Sequence, residues 1–418
     1  MVQQFTLPNG LRVIAEPLPH LHSVSIGVWV RAGSILEAPA ENGLSHFIEH
    51  LAFKGTARRS ARQIAQEMDA VGGYLNAATS KLNTVYYAKV IDEDLPLAAD
   101  ILADIVIHPA YDAREMNKER SVVLEEISMT DDSPEDVAYD VIASAMFGAQ
   151  SLGQTILGPR SIIEGCSRED ILAYRSRHYS PMNACVAVAG NFEMERLQEL
   201  LLPHFGDWQG HAGELYPVNT VNAAPAVLTA DKDTEQAHIC LGYRGLPLGS
   251  EDVYAMAVFN SVLGGGMSSR LFQRIREESA MAYTVYSAPS AYPHCGDFTV
   301  YAAVSPRNIR TVVAQIDEEI EKLLAEGITE EEFRMAKAQL KGGFILGQES
   351  AYNRMNGMGS NLALMNRYIS TEETIRRINA VTREDAQRVA EAVLRGPRSE
   401  AYVGKKINQY VKNKAQIP

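Results

Sequence analysis

The sequence predicts an α+β protein of two homologous domains, each an antiparallel-rich sheet with helices packed on one face. Three observations carry this prediction. Short β-branched runs lie near the start of each half, as strands require. Longer segments with helical periodicity follow them. The whole programme then recurs about 215 residues further on.

The elements follow in order. Phe5-Thr6-Leu7, Pro8-Asn9-Gly10 and Leu11-Arg12-Val13-Ile14 read as a hairpin, because Asn-Gly readily takes positive φ at a tight turn. Val24 to Val30 is a further strand. Leu44, Phe47, Ile48 and Leu51 recur at i, i+3, i+4 and i+7, which places GLSHFIEHLAFKGT on a helix. Ser60-Ala61-Arg62-Gln63 has the spacing of a capping box, and Gly72-Gly73 ends the helix it opens. Tyr74 to Val90 reads as two strands and a turn. A helix from Leu95 to Ile107 comes next, stopped by Pro109, and then one running through Glu119 and Glu126.

In the second half AHICLGYRG (237–245) is similar to VSIGVWVRAG (24–33), and GDFTVYAAV (296–304) to NTVYYAKV (83–90). EEFRMAKAQLKGGFI (331–345) stands where AREMNKERSVVLEEI (113–127) stood. The division expected is a metal-binding domain over 1–210, a linker over 211–226 rich in Gly, Pro and Asn, and a homologous domain over 227–418.

At 418 residues, 46% hydrophobic and 22% charged, the chain has the composition of an ordinary soluble protein. Its net charge of −13 argues against general nucleic-acid binding, which needs a basic face. The acidity is read as serving solubility rather than capture of basic ligands. No apolar run approaches the ~20 residues that span a bilayer, so no membrane partner is expected. The first thirty residues carry neither a signal-peptide nor a transit pattern. Cys166, Cys185, Cys240 and Cys295 lie far apart without CxxC spacing, which suits free thiols in a reducing compartment. A cytoplasmic setting is expected.

The chemistry concentrates in the first predicted helix. His46 and His50 are four residues apart and project from one face, where two imidazoles can share an ion. Glu49 flanks the pair, placed to hydrogen-bond a water without ligating the metal. Buried polar groups cost free energy unless satisfied, so an apolar segment with this triplet needs a partner. A catalytic zinc takes three protein ligands and leaves a fourth position open. Glu126 is assigned as the third ligand. Glu119, two helical turns earlier on the same face with Val122 and Val123 between, is assigned to orient the site. Glu125 is turned ~100° away and is expected in solvent.

HFIEH has the H-x-x-E-H order of inverzincins. With LPNGLRVI (7–14), HFIEHLAFKGT (46–56), GGYLNAATS (72–80), VVLEEI (122–127), SPED (133–136) and GGGMSSRLFQRIRE (264–277), the chain resembles the pitrilysin/insulinase family of zinc metallopeptidases. The resemblance is nearest the branch of mitochondrial processing peptidase β subunits and their bacterial relatives, and it spans almost the whole chain.

The resemblance implies a clam-shell arrangement and one Zn2+ per chain on His46, His50 and Glu126, with Glu49 as general base and Glu119 as auxiliary acid. It implies that Arg276 and Tyr283 in the second half contact substrate, although on residue chemistry alone they serve equally as a surface charge and as packing. The usual text there is closer to REKRGLAY, so Glu278, Ser279 and Ala280 depart from a basic pair and a glycine. It implies an extended peptide pairing with the sheet edge at Asn76, Ala77 and Ala78. The expected activity is zinc-dependent hydrolysis of short or unfolded peptides enclosed in a chamber. The expected assembly is a homodimer or a heterodimer with a related chain. A non-catalytic assembly subunit and an HxxEH metal-dependent lyase stay open as alternatives.

Overall fold

The computed structural model describes residues 1–411. By internal contacts the chain forms two compact units, and neither is a continuous stretch. The first comprises Met1–Ile127, Thr155–Pro217 and Ile345–Ser370; the second comprises Ser128–Gln154, Val218–Phe344 and the described residues from Thr371 onward.

The first unit is built on strands β1 (Gln3–Thr6), β2 (Arg12–Pro17), β3 (Ser23–Val30), β4 (Tyr74–Thr79), β5 (Thr84–Ile91) and β6 (Ala184–Gly190). Their order is β1-β2-β6-β3-β5-β4, and every pairing is antiparallel except β2 with β6. In the second unit β7 (Val227–Asp231), β8 (Ala237–Arg244), β9 (Ala282–Ala291), β10 (Gly296–Val304) and β11 (Arg398–Gly404) run β7-β11-β8-β10-β9. There the parallel pair is β7 with β11. Strands β2 to β6 and β7 to β11 thus follow one topology. The recurrence read from the sequence is a repeat of structure.

The first five helices of the chain are α1 (Leu44–Ala52), α2 (Ala61–Ala70), α3 (Leu95–Ile107), α4 (Ala113–Asp132) and α5 (Pro134–Phe147). Ser60 and Gln63 close the capping box of α2 as their spacing predicts. On one face of the first sheet Val24, Ile26, Val28 and Val30 of β3 pack with Phe47, Ile48 and Leu51 of α1 and with Ile101, Leu102 and Ile105 of α3. Alternation along β3 sends Trp29 to the opposite face. There it meets Met355, Met358 and Leu362 of the Ala351–Met365 helix, together with Ile14, Cys185 and Ala187. A Cβ at Gly359 would come within 2.4 Å of the Trp29 ring, so only glycine lets this helix lie so close.

The second sheet is covered on both faces in the same manner. Ile239, Leu241 and Tyr243 of β8 face one core. On the other side α5 brings Ile142 and Met146 against Gly242 and stacks Tyr139 on Tyr301, with centroids 5.8 Å apart. Helices on one face were the expectation; each sheet carries in addition a helix on its other face, drawn from the distant half of the sequence. Local periodicity cannot report this, because it says which side of a helix is apolar and not which sheet receives it. All four cysteines are buried and free. No helix among the described residues is long and apolar enough to cross a membrane.

Candidate metal centre

Helix α1 spends its apolar stripe on the core and leaves His46, Glu49 and His50 on its half-buried flank. The rings of His46 and His50 lie 4.6 Å apart, as the i, i+4 spacing requires. Helix α4 crosses beside them. His50 Nε2 lies 3.1 Å and His46 Nε2 3.7 Å from Glu126 Oε2. One ligand atom from each of the three residues falls within 4.8 Å of the others, and no further such group of His, Cys, Asp or Glu occurs among the described residues. Tetrahedral ligands at ~2.05 Å from zinc stand about 3.4 Å apart. The donor set fits that ion.

The remaining valences are arranged around His50. Its Nδ1–H donates to Glu119 Oε1 at 2.8 Å, which leaves Nε2 as the ligating atom. Glu119 is 5% exposed, and its second oxygen pairs with Lys54 Nζ at 2.7 Å. Burial raises the Glu119 carboxyl, but His50 and Lys54 outweigh it and hold the group below its ordinary range. Burial pushes His50 down, yet the hydrogen bond to Glu119 and the charges of Glu126 and Glu49 carry it above the ordinary histidine value. His46 is lowered to about 4 by burial and by repulsion from His50, so it is a neutral imidazole ready to ligate.

Glu49 has a different environment. Thr79 Oγ1, at the end of β4, donates to Glu49 Oε2 at 2.5 Å. Burial raises the Glu49 carboxyl, with Thr79 and His50 opposing and Glu126 adding to the rise. A carboxylate so placed can accept and release a proton.

Of the flanking positions, Val123 is buried while Val122 is 45% exposed, so only Val123 lies on the buried stripe of α4. Glu125 is exposed, as expected. Asn76, Ala77 and Ala78 lie on β4, one of the two edge strands of the first sheet. Asn76 is tied to its neighbours: its Nδ2 donates to the Tyr74 hydroxyl at 2.7 Å and its Oδ1 accepts from the Ala77 N–H at 2.8 Å.

Arg276 and Tyr283 belong to the second unit and meet each other there. The Arg276 guanidinium lies 5.0 Å from the centroid of the Tyr283 ring, and Tyr283 is 74% exposed on β9. The turn between them carries Ala280 at φ +50°, the left-handed region where the resemblance would put glycine. The departure in sequence keeps the turn and accepts its strain.

Sequence reasoning missed Lys54, Thr79 and Glu37. Lys54 follows His50 by four residues, so its spacing was a usable signal. Thr79 comes directly after the named edge residues. Glu37 had only a weak signal, an acidic residue before a helix whose cap position is glycine.

Comparison with known proteins gives the chain its family. The family description "Insulinase (Peptidase family M16)" matches residues 12–160, and "Peptidase M16 inactive domain" matches residues 165–340. The second match covers part of the half that lacks HxxEH. An uncharacterized zinc protease of Bacillus subtilis, YmxG, is 40% identical over 92% of this chain and 93% of its own. One of Mycobacterium bovis is 41% identical over 93% of this chain and 90% of its own. Among solved structures, a protease from Helicobacter pylori superposes with a TM-score of 0.89 at 24% identity, covering 97% of this chain and 99% of that one. A peptidase M16 inactive domain from Pseudomonas fluorescens gives 0.90 at 17% identity, covering 97% and 98%. Identity at this level over nearly the full length, with both family segments in order, shows that the chain belongs to the pitrilysin/insulinase family, M16.

Proposed function

We propose that this chain is a zinc-dependent endopeptidase that hydrolyses short or unfolded peptides held in an enclosing chamber. The observation that carries the reading is the convergence of His46, His50 and Glu126 beside the buried carboxylate of Glu49. A zinc ion on those three residues supplies a Lewis acid that lowers the pKa of water and polarises the peptide carbonyl. Glu49, oriented by Thr79, takes a proton from the attacking water and returns it to the nitrogen of the leaving amine. Glu119 keeps His50 in the tautomer that presents Nε2. Substrate adds as an extended strand at Asn76, Ala77 and Ala78, read by its main chain and therefore with little sequence preference.

Incubation with a mixture of unstructured peptides, read by mass spectrometry, tests the activity. Cleavage is expected to stop with a chelator and to return with added zinc. Cleavage indifferent to chelator would end the metallopeptidase reading.

Arg276 and Tyr283 are assigned to substrate contact, with the Tyr283 hydroxyl donating to the developing oxyanion. On that assignment Tyr283→Phe lowers kcat by about a hundredfold, the usual cost of one such donor, and Arg276→Ala lowers turnover as well. Zinc content, measured on the same samples, should not change. Unaltered kinetics would return both residues to packing.

The four buried thiols support a cytoplasmic setting. The assembly proposed is a homodimer, or a pair with a related chain, and the role is of the processing-peptidase kind.

A further inference from the structure

Glu37 lies outside every motif that defines the site, yet it is 3% exposed and aimed at the first turn of α1. Its Oε1 accepts from the Ser45 N–H at 2.7 Å; its Oε2 accepts from the Gly43 N–H at 2.8 Å and from Asn42 Nδ2 at 3.0 Å. A helix leaves its first N–H groups without internal partners, and a side chain at the cap position normally supplies one acceptor. Here the cap position is Gly43, at φ +100°, where a Cβ would collide with the Leu157 carbonyl at 2.4 Å. No side chain fits, so a carboxylate six residues upstream does the capping with both oxygens. Its negative charge also suits the positive end of the helix dipole.

The consequence falls unequally on the two histidines. The ring of His50 is held by Glu119. Nδ1 of His46 is buried and has no hydrogen-bond partner. His46 is the third residue of a nine-residue helix, directly after Ser45. What aims its Nε2 is the backbone of that first turn, pinned by Glu37 and by the 2.7 Å hydrogen bond between Ser45 Oγ and the Tyr174 hydroxyl.

We infer that Glu37 is a positioning residue of the metal centre, acting on His46 by fixing the first turn of α1. The inference rests on the metal site proposed above. Glu37→Gln keeps the side-chain shape but turns an amide N–H2 towards one set of donors, so one contact becomes repulsive. Zinc affinity of the purified apoprotein, measured by competition with a chromophoric chelator, is expected to fall tenfold or more, the range seen when a ligand's support is lost. The visible absorption of the cobalt-substituted protein should change with it. In a His46→Ala background the Glu37→Gln change should add nothing to the loss of cobalt affinity, because the effect runs through that ligand.

Wild-type affinity and an unaltered cobalt spectrum in Glu37→Gln overturn the inference. An effect of equal size in the His46→Ala background also overturns it, since the cap would then act on the helix as a whole. Should Glu37→Gln give no folded protein, Glu37→Asp, which withdraws the acceptors by one methylene, is read by the same measurements. Failure of the wild-type protein itself to bind zinc would instead refute the site.

Discussion

Glu49→Gln is expected to reduce peptide turnover by about a thousandfold, the middle of the range for loss of a general base, while zinc content stays at the wild-type level. The substitution preserves volume, and the amide oxygen can still accept from Thr79 Oγ1, so the local packing survives. It also removes a carboxylate whose charge is disfavoured by burial, so folding should not suffer. What it removes is the ability to take a proton. The measurement is kcat on a fluorogenic unstructured peptide, with elemental analysis of the same preparation. Normal turnover with full zinc would strip Glu49 of its role.

The second large effect is loss of the metal itself. His50→Ala and Glu126→Ala are each expected to purify with little zinc, and therefore with no activity that chelator can abolish. The two variants differ in what else they disturb. His50→Ala leaves Glu119, which is nearly buried, with Lys54 as its remaining charged partner, so a fall in thermal stability should accompany the metal loss. The Glu126 side chain is 37% exposed, so its truncation should cost little in folding and isolate the effect on metal. Glu125→Ala, one position along on the exposed side of α4, is the control and should retain zinc. Full zinc in both His50→Ala and Glu126→Ala would mean the ligand set is wrong.

The parts of this site that were legible in the sequence are those fixed by helical spacing. His46 and His50 face one way because they are four apart; Glu119 and Glu126 because they are seven apart. The hairpin at Asn9-Gly10 and the capping box at Ser60 were legible because turn and cap chemistry is local. What escaped depends on contacts that spacing does not encode. Thr79 reaches Glu49 only once β4 pairs with β5 and lies along α1. Glu37 became relevant only when Leu157 closed the cap position to any side chain. Val122 and Val123 were read as equivalent, but neighbouring residues on a helix differ by ~100° in direction, enough to send one to solvent. The helices on the far faces of the two sheets are the largest omission. Their partners lie in the other half of the sequence, beyond the reach of any local pattern.

That exchange has a consequence for how the chain is made. The last strand of the first sheet ends at Gly190, but the helix that covers its far face begins at Ala351. At ~5–20 residues per second, a ribosome needs about ten to thirty seconds to span that interval. Throughout it, Ile14, Trp29, Cys185 and Ala187 form a bare apolar surface on a nascent polypeptide whose strands are already complete. The order of the elements leaves that face without its covering helix until the Ala351–Met365 segment has been made.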